Sequence, residues 1–214
     1  MLPIILAAAL VVPPSLAPAF PGPAGPPPAP LEQTAVFAGG CFWGVEGVFE
    51  HIRGVKSATA GYAGGTAASP SYEEVSSGAT GHAESVRVVF DPGQISYRQL
   101  LAVFFAVAHD PTQLNRQGPD FGTQYRSIVF YASNEQKQAA EAYVAELNTK
   151  KVFARPIVTE IVPLKAFYPA EEYHQHYMER HPYSPYIVFN DAPKVKQLER
   201  QFPDLYRRPA AAGS

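Results

Sequence analysis

Sulfur nucleophiles are scarce in this 214-residue chain, which has a single cysteine, Cys41. One cysteine excludes an intrachain disulfide, a C-x-x-C redox pair and any zinc site built on several thiolates. Any thiol chemistry falls to one sulfur. Excess charge is lacking as well: 17 basic against 19 acidic residues leave a formal charge of −2. The chain therefore carries no electrostatic footprint for nucleic acid or for an anionic membrane surface. No apolar run reaches the roughly 20 residues that a membrane-spanning helix needs, and no internal repeat is visible. The length suits one domain with an appendage and is ample to bury a core. A monomer is expected.

Charge is also missing from one place. Met1 to Leu31 contain no charged side chain but hold ten of the 22 prolines, so every acidic and basic residue follows. Leu2 to Val12 form an apolar run of signal-peptide length, stopped by Pro13 and Pro14 and followed by the small residues Ala17-Pro18-Ala19. A basic leading region is absent. The expectation is a signal peptide over residues 1–19, hence export to a periplasmic or extracellular compartment. The alternative is a cytoplasmic protein with a disordered Pro/Ala-rich extension. Residues 20–31 read as an extended linker, residues 32–206 as a single catalytic domain, and residues 207–214 as a flexible tail.

Within the domain, Thr34 to Ala38 is short, apolar and β-prone, and Gly39-Gly40 breaks it. Phe42, Val45, Phe49 and Ile52 then recur at helical spacing up to Gly54. Lys56 to Tyr62 reads as a strand, Ala63 to Thr80 as a loop, and Glu84 to Phe90 as the clearest strand in the chain. Ser96 and Gln99 form a capping box that opens a buried helix to Ala108. A loop from His109 to Gln124 leads to a strand over Arg126 to Tyr131. Ser133 and Gln136 cap a helix to Thr149. Ile157 to Val162 reads as a strand, Pro169 to Glu179 as a short helix, and Lys194 to Gln201 as another. From Thr34 to Tyr131 the order is β-α-β-β-α-β, the ferredoxin-like split unit, with a C-terminal extension.

The chemistry concentrates at the first strand-to-helix turn, where GGCFWG (Gly39 to Gly44) sets Cys41 at a helix start. Unpaired N–H groups and the helix dipole there favour a thiolate over a thiol. The competing reading is a buried structural cysteine. A C-x5-R phosphatase loop needs Arg six residues on, and that position is Gly47. In ESVRVVF, Glu84 shares parity with Val86, Val88 and Phe90, so it begins the apolar face of its strand. Lost hydration there raises a carboxyl toward neutrality and makes it a proton donor. A glutamate solvated at a strand end is the plain alternative. His82 and His109 are the candidate bases of a rival reading, a cysteine acyltransferase or hydrolase. A non-catalytic binding module built on the Gly/Tyr-rich loops is a third. His174 and His176 flank one residue on the expected helix, so they share no ligand face, and no metal site is expected.

GGCFWGVE, GYAGG (Gly61 to Gly65), TGHAESV (Thr80 to Val86), HDPTQ (His109 to Gln113) and DFGTQYRS (Asp120 to Ser127) together resemble the peptide-methionine sulfoxide reductases of the A family, over roughly Val36 to Pro182. The resemblance implies an α+β fold, a two-layer sandwich around a ferredoxin-like core. It implies that Cys41 attacks the sulfur of methionine S-sulfoxide while Glu84 protonates the oxygen. Tyr62 and Tyr125 would hydrogen-bond that oxygen, Phe42 and Trp43 would hold the S-methyl group, and Asp120 would orient water or the substrate backbone. Cys41 is then left as a sulfenic acid. Many relatives carry further cysteines near the C-terminus, whereas HPYSPYIVF (His181 to Phe189) holds none. With no bound cofactor, regeneration would come from an external thiol: thioredoxin, glutaredoxin or a small thiol.

Overall fold

The computed structural model describes residues 32–66, 68 and 70–208. The signal-peptide and linker readings, and residues 209–214 of the tail, lie outside the described residues. Four strands carry the split unit: β1 (Gln33–Gly39), β2 (Val55–Ala63), β3 (Ala83–Phe90) and β6 (Ser127–Tyr131). They lie in the order β6-β1-β3-β2, all neighbours antiparallel. The sheet is lengthened at both edges, by β7 (Glu160–Pro163) parallel to β6 and by β8 (Phe167–Pro169) antiparallel to β2. A separate two-stranded hairpin joins β4 (Arg116–Gln117) to β5 (Asp120–Phe121).

Parity explains the layers. Ala35 and Phe37 of β1, Ala60 and Tyr62 of β2, and Val86, Val88 and Phe90 of β3 turn to one face. Helix α1 (Phe42–Glu50) and helix α3 (Tyr97–Val103) cover it with Val45, Phe49, Leu100 and Leu101. Phe37 sits between Phe49 and Phe104, with ring centroids 5.2 and 4.8 Å away. Burying each such ring is worth about 2–3 kcal/mol. Val36, Ala38, Ile128 and Phe130 take the opposite parity and form a smaller cluster on the reverse face. The architecture is the expected α+β sandwich.

The Ser96–Gln99 capping box is present, with both reciprocal bonds made. Its helix differs from expectation in one respect: after Val103 it widens into a π-helical turn over Phe104–Ala108. Helix α4 (Asn134–Thr149) starts as expected at Ser133. Several parts depart from the sequence reading, among them the loop His109 to Gln124, which holds the β4–β5 hairpin, and the strand expected from Ile157, which starts at Glu160. The loop 63–80 contains a helix, α2 (Tyr72–Ser76), capped by Ser71 and Glu74. The expected helix over Pro169–Glu179 splits instead into β8, a 3-10 turn Glu172–His174 and α5 (Tyr177–Arg180). His176 adopts φ 54°, left-handed, which ends any continuous helix there. Arg207, expected in a flexible tail, is tied down: its amide donates to His51 O and its guanidinium to Glu50 O, both at 2.7 Å. Before it come a π-helical turn Ile187–Asp191 and helix α6 (Ala192–Gln201).

Candidate active site

β1 ends at a turn that only glycine accommodates. Gly40 has φ +93°, and a Cβ there would lie 2.5 Å from Gln117 Cβ. That turn delivers Cys41 to the N-cap position of α1, buried with 8% exposure and with no side-chain capping bond of its own. The helix start does not by itself make a thiolate. Burial first, then Glu84 and Asp191 to the extent that they are ionised, pushes the thiol well above its ordinary value. The Trp43 amide and Lys194 only partly offset this. The thiolate-favouring helix start expected from the sequence is thus opposed by desolvation, which disfavours the charged sulfur.

Glu84 lies where parity put it, on the helix-covered face of β3 with 2% exposure. Its Oε2 accepts the Phe42 backbone N–H at 3.0 Å, so the carboxyl is bound to the turn that presents Cys41. Burial pushes it up to about 8, against the pull of that hydrogen bond and aided by Asp120 and Asp191. Burial thus favours the protonated form of both the carboxyl and the thiol.

The tyrosines divide. Tyr125, in the 3-10 turn Thr123–Tyr125, is half-buried and interacts electrostatically with Glu84, Asp120, Tyr72 and Cys41. Tyr62, to which the resemblance gives the same role, has a different partner in this structure. It is fully buried in the core, and its hydroxyl donates to Glu171 Oε2 at 2.8 Å, which commits its proton elsewhere. Tyr72, at the first turn of α2, is half-buried and within electrostatic reach of Glu84, Cys41 and Asp120. The sequence did hold a signal for it. Ser71-x-x-Glu74 is a capping box, and it fixes Tyr72 at the start of a helix rather than in a loop.

Phe42 and Trp43 form one side of an aromatic surround. Phe42 is buried, 5.0 Å from the His174 ring. Trp43 donates from Nε1 to His174 Nδ1 at 3.2 Å, stacks on Tyr177 at 3.7 Å and meets Tyr186 edge-on at 5.8 Å. Asp120 accepts a hydrogen bond from the Tyr186 hydroxyl, and burial raises its carboxyl. Tyr186 was not singled out in the sequence, one tyrosine of twelve with no motif around it. A cavity of about 310 Å³ opens beside Cys41, lined by Asp120, Tyr186, Gln117, Asn190 and Lys194 among others. A larger one of about 780 Å³ lies near the far end of α1, between Glu50, His176 and Arg207, and Cys41 does not line it.

The candidate bases are otherwise engaged. His109 is buried at the edge of the Cys41 cavity, with Nδ1 on Phe104 O at 2.9 Å and Nε2 on Ser127 Oγ at 2.6 Å. Burial pushes it down to about 4. His82 lines a different cavity, where its Nδ1 accepts the Gly65 N–H at 3.1 Å. His174 serves Trp43, while His176 serves Glu50. Glu46, Glu50 and His176 bring three ligand-type atoms within 4.8 Å of one another. Glu46 already accepts the backbone N–H groups of His176 and Ala60.

The family model described as peptide methionine sulfoxide reductase matches residues 33–205. The chain is 55% identical over 178 residues to peptide methionine sulfoxide reductase MsrA 2 of Mesorhizobium japonicum, covering 83% of this chain and 91% of that one. It is 51% identical to peptide methionine sulfoxide reductase MsrA of Deinococcus radiodurans, covering 86% of this chain and 88% of the relative. Among solved structures, Mxr1 of Saccharomyces cerevisiae in reduced form superposes with a TM-score of 0.67 at 37% identity, over 72% of this chain and 87% of its own. Methionine sulfoxide reductase A of Corynebacterium diphtheriae gives 0.65 at 38% identity, over 74% and 80% respectively.

Proposed function

The chain belongs to the peptide methionine sulfoxide reductase family and is an oxidoreductase, and on that footing we propose that Cys41 and Glu84 together reduce the S epimer of methionine sulfoxide. The observation that carries this reading is the hydrogen bond from the Phe42 amide to Glu84, which ties a buried carboxyl of β3, pushed up to about 8, to the residue that follows the sole cysteine. A sulfoxide oxygen is a strong acceptor and a poor leaving group, so it calls for an acid beside the nucleophile. Glu84 gives its proton to the oxygen, and the proton of Cys41 replaces it on the carboxylate. The Cys41 sulfur bonds to the sulfoxide sulfur, and the protonated oxygen then passes from that sulfur to Cys41, so that the substrate's sulfur–oxygen bond and the transient sulfur–sulfur bond both break and methionine leaves. The oxygen ends on Cys41 as a sulfenic acid. Tyr72 and Tyr125 supply hydroxyl donors to the oxygen, Phe42 and Trp43 an apolar wall for the methyl group, and Asp120 with Tyr186 the polar side of the cavity.

Regeneration needs two electrons from outside, because the chain has no second thiol. Two external thiol groups convert the sulfenic acid to thiol and water and become a disulfide. A dithiol protein of the thioredoxin or glutaredoxin kind, or a small thiol, fits that requirement. Oxidised proteins and peptides are the proposed substrates, and repair the proposed role. Export through residues 1–19 belongs to the same proposal. Amino-terminal sequencing of protein recovered from the periplasm or medium tests it.

The deciding experiment incubates the protein with each epimer of a blocked methionine sulfoxide under dithiothreitol, beside a Cys41→Ser control. Loss of the S epimer alone, abolished in the control, is the expected result. Turnover of both epimers, or of neither, overturns the proposal.

A further inference from the structure

Asp191 is wholly buried, yet only one of its oxygens has a partner. Oδ1 accepts Lys194 Nζ at 3.0 Å, whereas Oδ2 has none. The pair lies against the first turn of α1. A Cβ at Gly44 would fall 2.1 Å from Asp191 Oδ1 and 2.7 Å from Lys194 Nζ. Gly44 follows Cys41 by three residues, and a side chain at that position would lean back over the preceding turn. The missing side chain thus makes room for a carboxylate and an ammonium beside the nucleophile. Lys194 also lines the Cys41 cavity. Burying a carboxylate half-satisfied costs stability, and none of the reaction steps above uses either residue.

We propose that Asp191 and Lys194 are positioning residues that set the charge on Cys41 in opposite directions, the ammonium favouring anionic sulfur and the carboxylate opposing it. This deepens the reductase reading and rests on it for its purpose, which is to hold the sole thiol protonated at rest and ease its ionisation on attack. The other groups that interact with Cys41 are Glu84 from β3, Tyr72 and Tyr125 from the facing turns, and Tyr186 from the segment before α6, while Asp120 from β5 lines the same cavity. His109, at the cavity edge, stays neutral above about 4. Lys194 is therefore the cation of this surround among the described residues. It is partly shielded from solvent, with its side chain 23% exposed.

The single cysteine makes the test clean, because alkylation by iodoacetamide reports Cys41 alone. Its rate is followed from pH 6 to 10 in the full chain, with folding checked by circular dichroism. Lys194→Met is expected to slow alkylation at pH 7 by roughly tenfold and to move the profile to higher pH. Lys194→Arg restores it to within about twofold by keeping the charge. Asp191→Asn does the opposite and speeds alkylation. A merely structural pair would shift both neutralised variants the same way, and that result, or an unchanged profile in Lys194→Met, overturns the proposal. Should Lys194→Met fail to fold for want of a partner for Asp191, the comparison passes to Asp191→Asn with and without Lys194→Met. Equal rates in those two again overturn it. Alkylation requires no sulfoxide, so an enzyme inactive on both epimers would sink the reductase reading without deciding the fate of this pair.

Discussion

Tyr62 stands directly opposite Glu84 across the β2–β3 ladder, yet its hydroxyl turns to Glu171 while Glu84 holds the Phe42 amide. The two neighbours serve different masters, and substitution separates them. Tyr62→Phe loses one half-buried hydrogen bond, about 1 kcal/mol, and Tm falls by about 2–4 °C with kcat within about twofold of wild type. Tyr72→Phe and Tyr125→Phe remove donors aimed at the developing oxygen charge and lower kcat by about tenfold to hundredfold, with little change in Tm. Steady-state kinetics and melting curves on the three variants check the division. A Tyr62→Phe enzyme as impaired as the other two would return Tyr62 to the site.

The acid sets a pH limit. Glu84 must be protonated to act, and it is pushed up to about 8, so turnover holds at neutral pH and declines as pH rises through about 8. Glu84→Gln keeps an oxygen for the Phe42 amide but has no acidic proton to give. It loses about 10²–10⁴ in kcat, and its remaining activity lacks the alkaline limb. A full pH profile of both proteins decides it.

Stability follows the same group with a definite sign. The folded carboxyl lies above its ordinary 4.5, at about 8, so the folded state prefers the protonated form. The stabilisation is intact below about pH 4.5 and is lost as pH rises through about 8. Tm should therefore fall across that window in wild type and fall less steeply in Glu84→Gln. Some slope persists in the variant, because Glu46 is likewise pushed up to about 8 by burial. Melting curves at half-unit pH steps, with Glu46→Gln for comparison, measure both contributions.

Much of this architecture was legible because local signals and burial agree. The alternation in β3 placed Glu84 on the covered face, the S-x-x-Q box opened α3, and the Gly-Gly-Cys turn set Cys41 at a helix start. What escaped depends on contacts distant in sequence. Trp43 is oriented by His174, Tyr177 and Tyr186, and no local pattern announces those partners. The charge on Cys41 could not be read from the helix dipole alone, since Asp191 lies 150 residues further along the chain. Pro169 suggested a helix start, but pairing of Phe167–Pro169 with β2 claimed that segment for the sheet. The helix that carries Tyr72 was legible, because the Ser71–Glu74 capping box is plain in the sequence.

The sulfenic acid offers a direct count. With one cysteine, oxidation by substrate in the absence of thiol must stop after a single equivalent of methionine, and the product cannot close an intrachain disulfide. One methionine per chain and one dimedone adduct, mapped by mass spectrometry to Cys41, are expected. More than one methionine per chain without added thiol would require an electron source that this mechanism lacks.

Two glycines in α1 predict unequal costs. A Cβ at Gly44 would fall 2.1 Å from Asp191 Oδ1, a buried oxygen held by Lys194. A Cβ at Gly47 would meet Met178 Cε at 2.5 Å, the far end of a flexible side chain. Alanine favours a helix over glycine by about 1 kcal/mol, so each substitution begins with the same gain. At Gly47 the methionine swings aside, and Gly47→Ala should be neutral to mildly stabilising, with activity kept. At Gly44 neither the carboxylate nor the ammonium can yield without breaking the pair beside Cys41. Gly44→Ala should then cost about 1–3 kcal/mol from overpacking and alter the pH dependence of Cys41 alkylation, which Gly47→Ala leaves alone. Equal melting temperatures and alkylation profiles in the two variants would mean that Asp191 and Lys194 move freely, and that the first turn of α1 is not held by the C-terminal segment.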